Sequence, residues 1–226
     1  MLPSIFNIDL NCHTLRLNGM AIYNLFMDML AFIHWRPLRR LIFGKGFRLS
    51  AGDHRAIKRI LSTGYYIILT EDRTHLSSWA VKLATFALTK KPCRYTHALV
   101  NVEPDKATEF KFVEALNKGV KQSSFNEVFE CDSVCILKPK RFTIDEIDEA
   151  IGASLRYIGL KYDKKFRYND AKELSCVEVA RNCLKMLPEY SEKMRIFEYM
   201  IQTKKNLVPQ MLRDCPDFEV VREFKR

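Results

Sequence analysis

Long uncharged apolar runs are missing from this 226-residue chain. The nearest approach is Met20–Trp35, which Asp28 and His34 interrupt and which falls short of the ~20 residues a transmembrane helix needs. Internal repeats and low-complexity tracts are missing too, which excludes solenoids and disordered arrays. No secretory signal with a small-residue cleavage site opens the sequence, and the cysteine count, 7, is odd. Both features point to reduced thiols and cytoplasmic synthesis instead of a disulfide framework. The basic residues are scattered and never massed into one arm, so a specific nucleic-acid partner is not expected. Metal-ligand spacing is lacking as well. Cys131 and Cys135 fall in what reads as one strand, sharing a face, with no second Cys or His pair near them. Neither a metal nor an organic cofactor is expected.

What remains is the composition of a folded protein, 47% apolar and 28% charged, long enough for one substantial core with an extension. The formal net charge of +10 suits an anionic surface, such as a membrane or an acidic cell-wall polymer. Residues 1–50 differ in character from the rest and read as an N-terminal helical extension to a domain spanning 51–226. Within the extension, Met20–Trp35 either packs on that domain or lies on an anionic membrane beside the basic stretch Arg36–Arg48, as a peripheral anchor.

Further along, Ser50–Leu61 reads as a helix opened by the Ser50/Asp53 pair, and Gly64–Leu69 as a buried strand. Leu76–Leu88 is an amphipathic helix. Arg94–Val102 is a strand whose alternation puts Tyr95, His97, Leu99 and Asn101 on one face. A polar turn at Glu103–Glu109 leads to a second arm, Phe110–Ala115. Gly119–Gln122 and Val134–Leu137 add strands, and Ile144–Tyr157 adds a helix. Gly159–Lys165 is a loop, Tyr190–Thr203 is helical, and Phe218–Val221 closes the chain as a strand. Clustered strands with helices before and after them define an α+β class.

The most informative stretch is Asn169–Met186. Ser175 and Glu178 have capping-box spacing, and Leu174 and Val179 occupy the matching hydrophobic staple. With Ser175 as N-cap, Cys176 becomes the first helical residue, facing the positive end of the helix dipole, which favours the nucleophilic thiolate. Val177, Ala180, Leu184 and Leu187 then repeat at helical spacing. A competing D-x-x-E start at Asp170 and Glu173 would instead bury Cys176 nearly two turns inside a helix, as a packing residue.

Acyl transfer by a thiol needs a base, a group that orients the base, and donors for the oxyanion. Cys176 supplies the thiol, His97 the base and Glu114 the orienting group if the hairpin folds back about the Pro104 turn. The Cys176 backbone N–H at the helix start supplies an oxyanion donor.

YTHALV, FVEALNKGV, GLKYDKKF and SCVEVA, in that order, resemble the circularly permuted branch of the NlpC-type papain-like cysteine peptidases. That branch includes the bacterial YiiX/YaeF-like amidases, and the lecithin:retinol acyltransferase group is related to it. The likeness runs over residues 60–226. It implies a permuted papain-like fold, an antiparallel sheet packed against the cysteine helix. It also implies Cys176 as nucleophile, His97 as general base, Glu114 as its orienting group and Tyr162 beside the thiol at the substrate. The chain departs from the pattern at Gly64, followed by Tyr65 instead of Asp, and at Val177, where the family has Ser. The function implied is a cysteine hydrolase cleaving an amide or peptide bond, including a cell-wall peptide, through a thioester. A lipid-directed acyltransferase or thioesterase at a membrane, and a catalytically silent papain-like module, are the alternatives.

Overall fold

The computed structural model describes residues 48–72, 78, 81–83, 85–86, 92–103, 110–163, 172–204 and 207–225. The extension expected over residues 1–50 lies almost wholly outside them, as does the 104–109 turn. The Leu76–Leu88 helix is described in part, and Ser78, residues 81–83, Thr85 and Phe86 are helical.

Six strands form one antiparallel sheet: β1 (Ile67–Glu71), β2 (His97–Glu103), β3 (Lys111–Leu116), β4 (Gly119–Ser124), β5 (Ser133–Pro139) and β6 (Phe218–Phe224). Their spatial order is β4-β3-β2-β1-β5-β6. Helices cover both faces because the strands are apolar on both. Ile67, Leu69, Ala98, Val100, Val113, Ala115 and Leu137 share one core with α3 (Ile144–Gly152) and α4 (Cys176–Leu184). Their neighbours in the pleat, Ile68, Leu99, Phe112 and Ile136, share the other with α1 (Ala51–Leu61) and α2 (Phe125–Val128). The result is the α+β architecture that the clustered strands imply.

Side-chain hydrogen bonds account for most displaced boundaries. β1 starts at Ile67 instead of Gly64 because the preceding N–H groups go to side chains. Tyr65 N–H donates to Asp148 Oδ1 (2.9 Å) and Tyr66 N–H to Asn101 Oδ1 (2.5 Å). β2 likewise starts at His97, since the Arg94 and Tyr95 N–H groups donate to Gln210 Oε1 at 3.0 and 3.3 Å. Released from the ladder, Tyr95 joins the core of Ala98 and Val100, not the Leu99 face that strict alternation assigns it. Cys131 and Cys135 do not share a face either: Cys131 precedes β5, and the two thiols sit in opposite cores. The helix expected over Ile144–Tyr157 is α-helical only to Gly152 and tightens to a 3₁₀ turn over Ala153–Tyr157. Tyr190–Thr203 is two helices, α5 (Tyr190–Lys193) and α6 (Arg195–Lys204). A short helix, α7 (Pro209–Asp214), uses Pro209 at its first position, where the missing N–H costs nothing.

Candidate functional site

The helix register at Cys176 is the capping-box register. Ser175 is the N-cap in an extended conformation, and its N–H donates to Glu178 Oε2 at 2.7 Å. Leu174 and Val179 are both buried, as a staple requires, and Val177, Ala180, Leu184 and Leu187 face the core. Cys176 is therefore the first residue of α4, with its backbone N–H among those that lack an intrahelical acceptor. It is 8% exposed.

The β2–β3 hairpin supplies the other two groups. Leu99 lies opposite Glu114 in the ladder, so His97, two residues earlier, is the diagonal neighbour of Glu114. That diagonal is bridged: His97 Nε2 and Glu114 Oε2 are 2.7 Å apart. The Cys176 side chain is near enough to the imidazole to raise its pKa. Sulfur, imidazole and carboxylate, 79 and 62 positions apart along the chain (176 − 97 and 176 − 114), are thus brought to one place: the imidazole bonds the carboxylate and its pKa responds to the thiol.

Electrostatics follow from the packing. Burial alone would pull the His97 pKa down. Hydrogen bonds with Cys176 and Glu114, and the negative charge each can carry, reverse this and push it up to about 10. Burial would raise Glu114, but the His97 hydrogen bond and charge, then Ser123 and Lys121, hold its carboxyl below the ordinary range. The arrangement favours an imidazolium braced by a carboxylate and set against a thiol at a helix start. Chemically, such a group can hand a proton to a departing atom.

Tyr162 sits one segment away. Asp163 N–H donates to Leu174 O (3.3 Å) and Leu174 N–H to Lys161 O (2.9 Å), which lays 161–163 alongside the residues leading into α4. Gly119 fixes this segment from the other side, with Val120 N–H donating to Leu160 O at 2.8 Å. The sequence reading missed Ser123, whose Oγ donates to Glu114 Oε1 at 2.5 Å from a 3%-exposed position. No motif marks it. Its signal is the hairpin register: Ser123 pairs with Phe112, two residues before Glu114, which makes it a second diagonal neighbour.

A cavity of about 850 Å³, lined by Lys185, Tyr190, Arg195 and Glu198 among others, lies at α5 and α6 and includes no member of this cluster. Among the described residues, no helix is long and apolar enough to cross a membrane.

A six-stranded antiparallel sheet with helices on both faces makes this an α+β protein with a YiiX-like fold. The chain is similar to the crystal structure of the metalloprotein YiiX from Escherichia coli O157:H7, DUF1105. The TM-score is 0.53 at 17% sequence identity, over 72% of this chain and 97% of that one, a likeness of fold. No family model matches the sequence. No curated protein matches it either. The word metalloprotein describes that neighbour. In this chain, no group of three or more His, Cys, Asp or Glu among the described residues is placed to hold a metal ion.

Proposed function

We propose that this chain is a cysteine hydrolase of amide or peptide bonds built on a permuted papain-like fold, with Cys176 as nucleophile, His97 as acid–base and Glu114 as its orienting group. The observation that carries the reading is the His97–Glu114 bond at 2.7 Å beside Cys176 at the first position of α4, and the rise of the His97 pKa with Cys176 among its causes supports it. Sulfur attacks the carbonyl carbon, and the Cys176 N–H donates to the oxygen that gains charge. As the C–N bond breaks, His97 gives its proton to the leaving amine, and a thioester remains on Cys176. Water, deprotonated by the neutral imidazole, then attacks the thioester. The acid is released, and the proton held on His97 completes the cycle.

The raised His97 pKa favours amides over esters as substrates. An amine departs only with a proton, and a basic imidazole holds one ready at neutral pH. A lipid-directed acyltransferase would use the same thioester with a different acceptor. The segment that supports it, Met20–Trp35, lies outside the described residues.

The test is iodoacetamide labelling of the folded protein at pH 7, followed by peptide mapping. Cys176 is expected to alkylate at a rate that drops at least tenfold in His97→Ala. Cys93, half-buried and with its thiol pushed up by burial, is the internal reference and keeps its rate. Equal rates at Cys176 in the two proteins would leave the silent-module reading standing.

A further inference from the structure

We infer that Ser123 is a positioning residue of the site: its hydroxyl holds the outer oxygen of Glu114, so that the other oxygen is presented to His97. The inference rests on the proposed Cys176–His97–Glu114 reading and adds a fourth residue to it.

Two contacts that join three strands, and the burial of both partners, carry it. Ser123 lies on β4 with its Oγ 2.5 Å from Glu114 Oε1, while Glu114 Oε2 meets His97 Nε2 at 2.7 Å. An ionised carboxylate only accepts, so the hydroxyl must be the donor. Both Ser123 (3% exposed) and Glu114 (7%) are buried, so water does not substitute freely for either partner. One oxygen per partner fixes the carboxylate plane, which a single bond to His97 would leave free to turn.

A competitor makes this holding necessary. Lys121, directly opposite Glu114 in the ladder, brings Nζ to 3.8 Å from the same Oε1 and is 43% exposed. That ammonium pulls on Oε1 from the solvent side, so a carboxylate held by His97 alone could turn about its bond toward it. Two features oppose that turn. Ser123 Oγ bonds Oε1, and Lys121 Nζ also pairs with Glu127 Oε1 at 3.3 Å, nearer than Glu114. Glu127 is itself fixed at the start of α2 by the Ser124 N–H (2.8 Å) and Oγ (2.9 Å). Among the described residues, the titratable groups facing the His97–Glu114 pair are thus Cys176 from α4 and Lys121 from β4, with Ser123 as the neutral donor on Glu114.

The test is an NMR titration of the His97 imidazole in the full-length chain, with Ser123→Ala and Ser123→Thr beside the natural protein. Ser123→Ala is expected to lower the His97 midpoint by roughly half a pH unit, about threefold in its protonation constant, and Ser123→Thr to return it. A merely structural serine would change thermal stability and leave the midpoint in place. Ser123→Cys, similar in shape and a weaker donor, lowers the midpoint in the same direction if the alanine variant does not fold. A His97 midpoint unchanged in the folded Ala or Cys variant overturns the inference, as does failure of folded Ser123→Thr to restore it. The titration is read whether or not Cys176 alkylates, so an inert Cys176 defeats the hydrolase proposal without deciding the role of Ser123.

Discussion

Substituting Gly119 tests how tightly the sheet edge fixes the segment beside the site. Gly119 opens β4 at φ +116°, in the region L side chains rarely adopt, and a Cβ built there would lie 2.5 Å from the backbone oxygen of Leu160. Backbone cannot yield as a flexible side chain does. Two costs add in Gly119→Ala. The dihedral itself costs about 1–3 kcal/mol in a non-glycine residue. Pushing Leu160 aside also strains two bonds, Val120 N–H to Leu160 O (2.8 Å) and Gly159 N–H to Val120 O (2.9 Å), each worth about 1 kcal/mol net. The sum is about 3–5 kcal/mol. At roughly 2–4 °C per kcal/mol for a chain of this size, Tm should fall by about 10 °C in a calorimetric scan. Gly52→Ala is the control. Its Cβ would meet only Ser50 Oγ, at 3.6 Å, on an exposed helical turn, so Tm should hold or rise slightly. A Gly119→Ala protein melting with the natural one would refute the close approach and, with it, the placement of Leu160–Asp163 beside the cysteine segment.

Other expectations follow from named contacts. Asn101 is fully buried and bridges Tyr66 N–H and Gly64 O, so Asn101→Ala leaves two backbone groups unpaired and should cost about 2–4 kcal/mol, read as a lower urea midpoint with faster amide exchange at Tyr66. Arg181 grips Glu198 in a fork, with Nε at 3.0 Å and NH2 at 2.8 Å, and joins α4 to α6. Arg181→Met alone should destabilise more than Arg181→Met with Glu198→Leu, because the single change strands a half-buried carboxylate. The raised His97 pKa sets a pH dependence of stability. Its contribution is full below the ordinary 6.5 and is lost as pH climbs toward about 10. The stability difference between the natural protein and His97→Asn should therefore shrink across that window, and a constant difference would remove the ion pair from the account. Glu114, held low, works in the opposite sense: its contribution is present above 4.5 and fades as acid protonates it.

Much of this was legible before any coordinates. Local chemistry explains why. The S-x-x-E pair at Ser175 and Glu178 sets the start of α4 by hydrogen bonds three residues apart, and Ser50/Asp53 and Thr143/Glu146 do the same for α1 and α3. A hairpin's diagonal geometry joins His97 to Glu114 once the two arms pair. What stayed hidden depends on distant partners. The start of β1 is decided by Asp148 and Asn101, and that of β2 by Gln210, which no window around either strand contains. Cys131 and Cys135 part because β5 begins at Ser133, between them. Ser123 escaped notice because serine on a strand carries no signal until the β3–β4 register is known. The break between α5 and α6 at Met194 has no comparable sequence cue.

The measurement that tests the central claim most directly is acyl transfer from a 4-nitrophenyl ester to the folded chain, followed by intact mass and peptide mapping after an acid quench. The account predicts a burst of nitrophenol matched by a single acyl group on Cys176, absent from Cys176→Ala and slowed at least tenfold in His97→Ala. A burst that survives Cys176→Ala, or an acyl group mapped to any other cysteine, would contradict it.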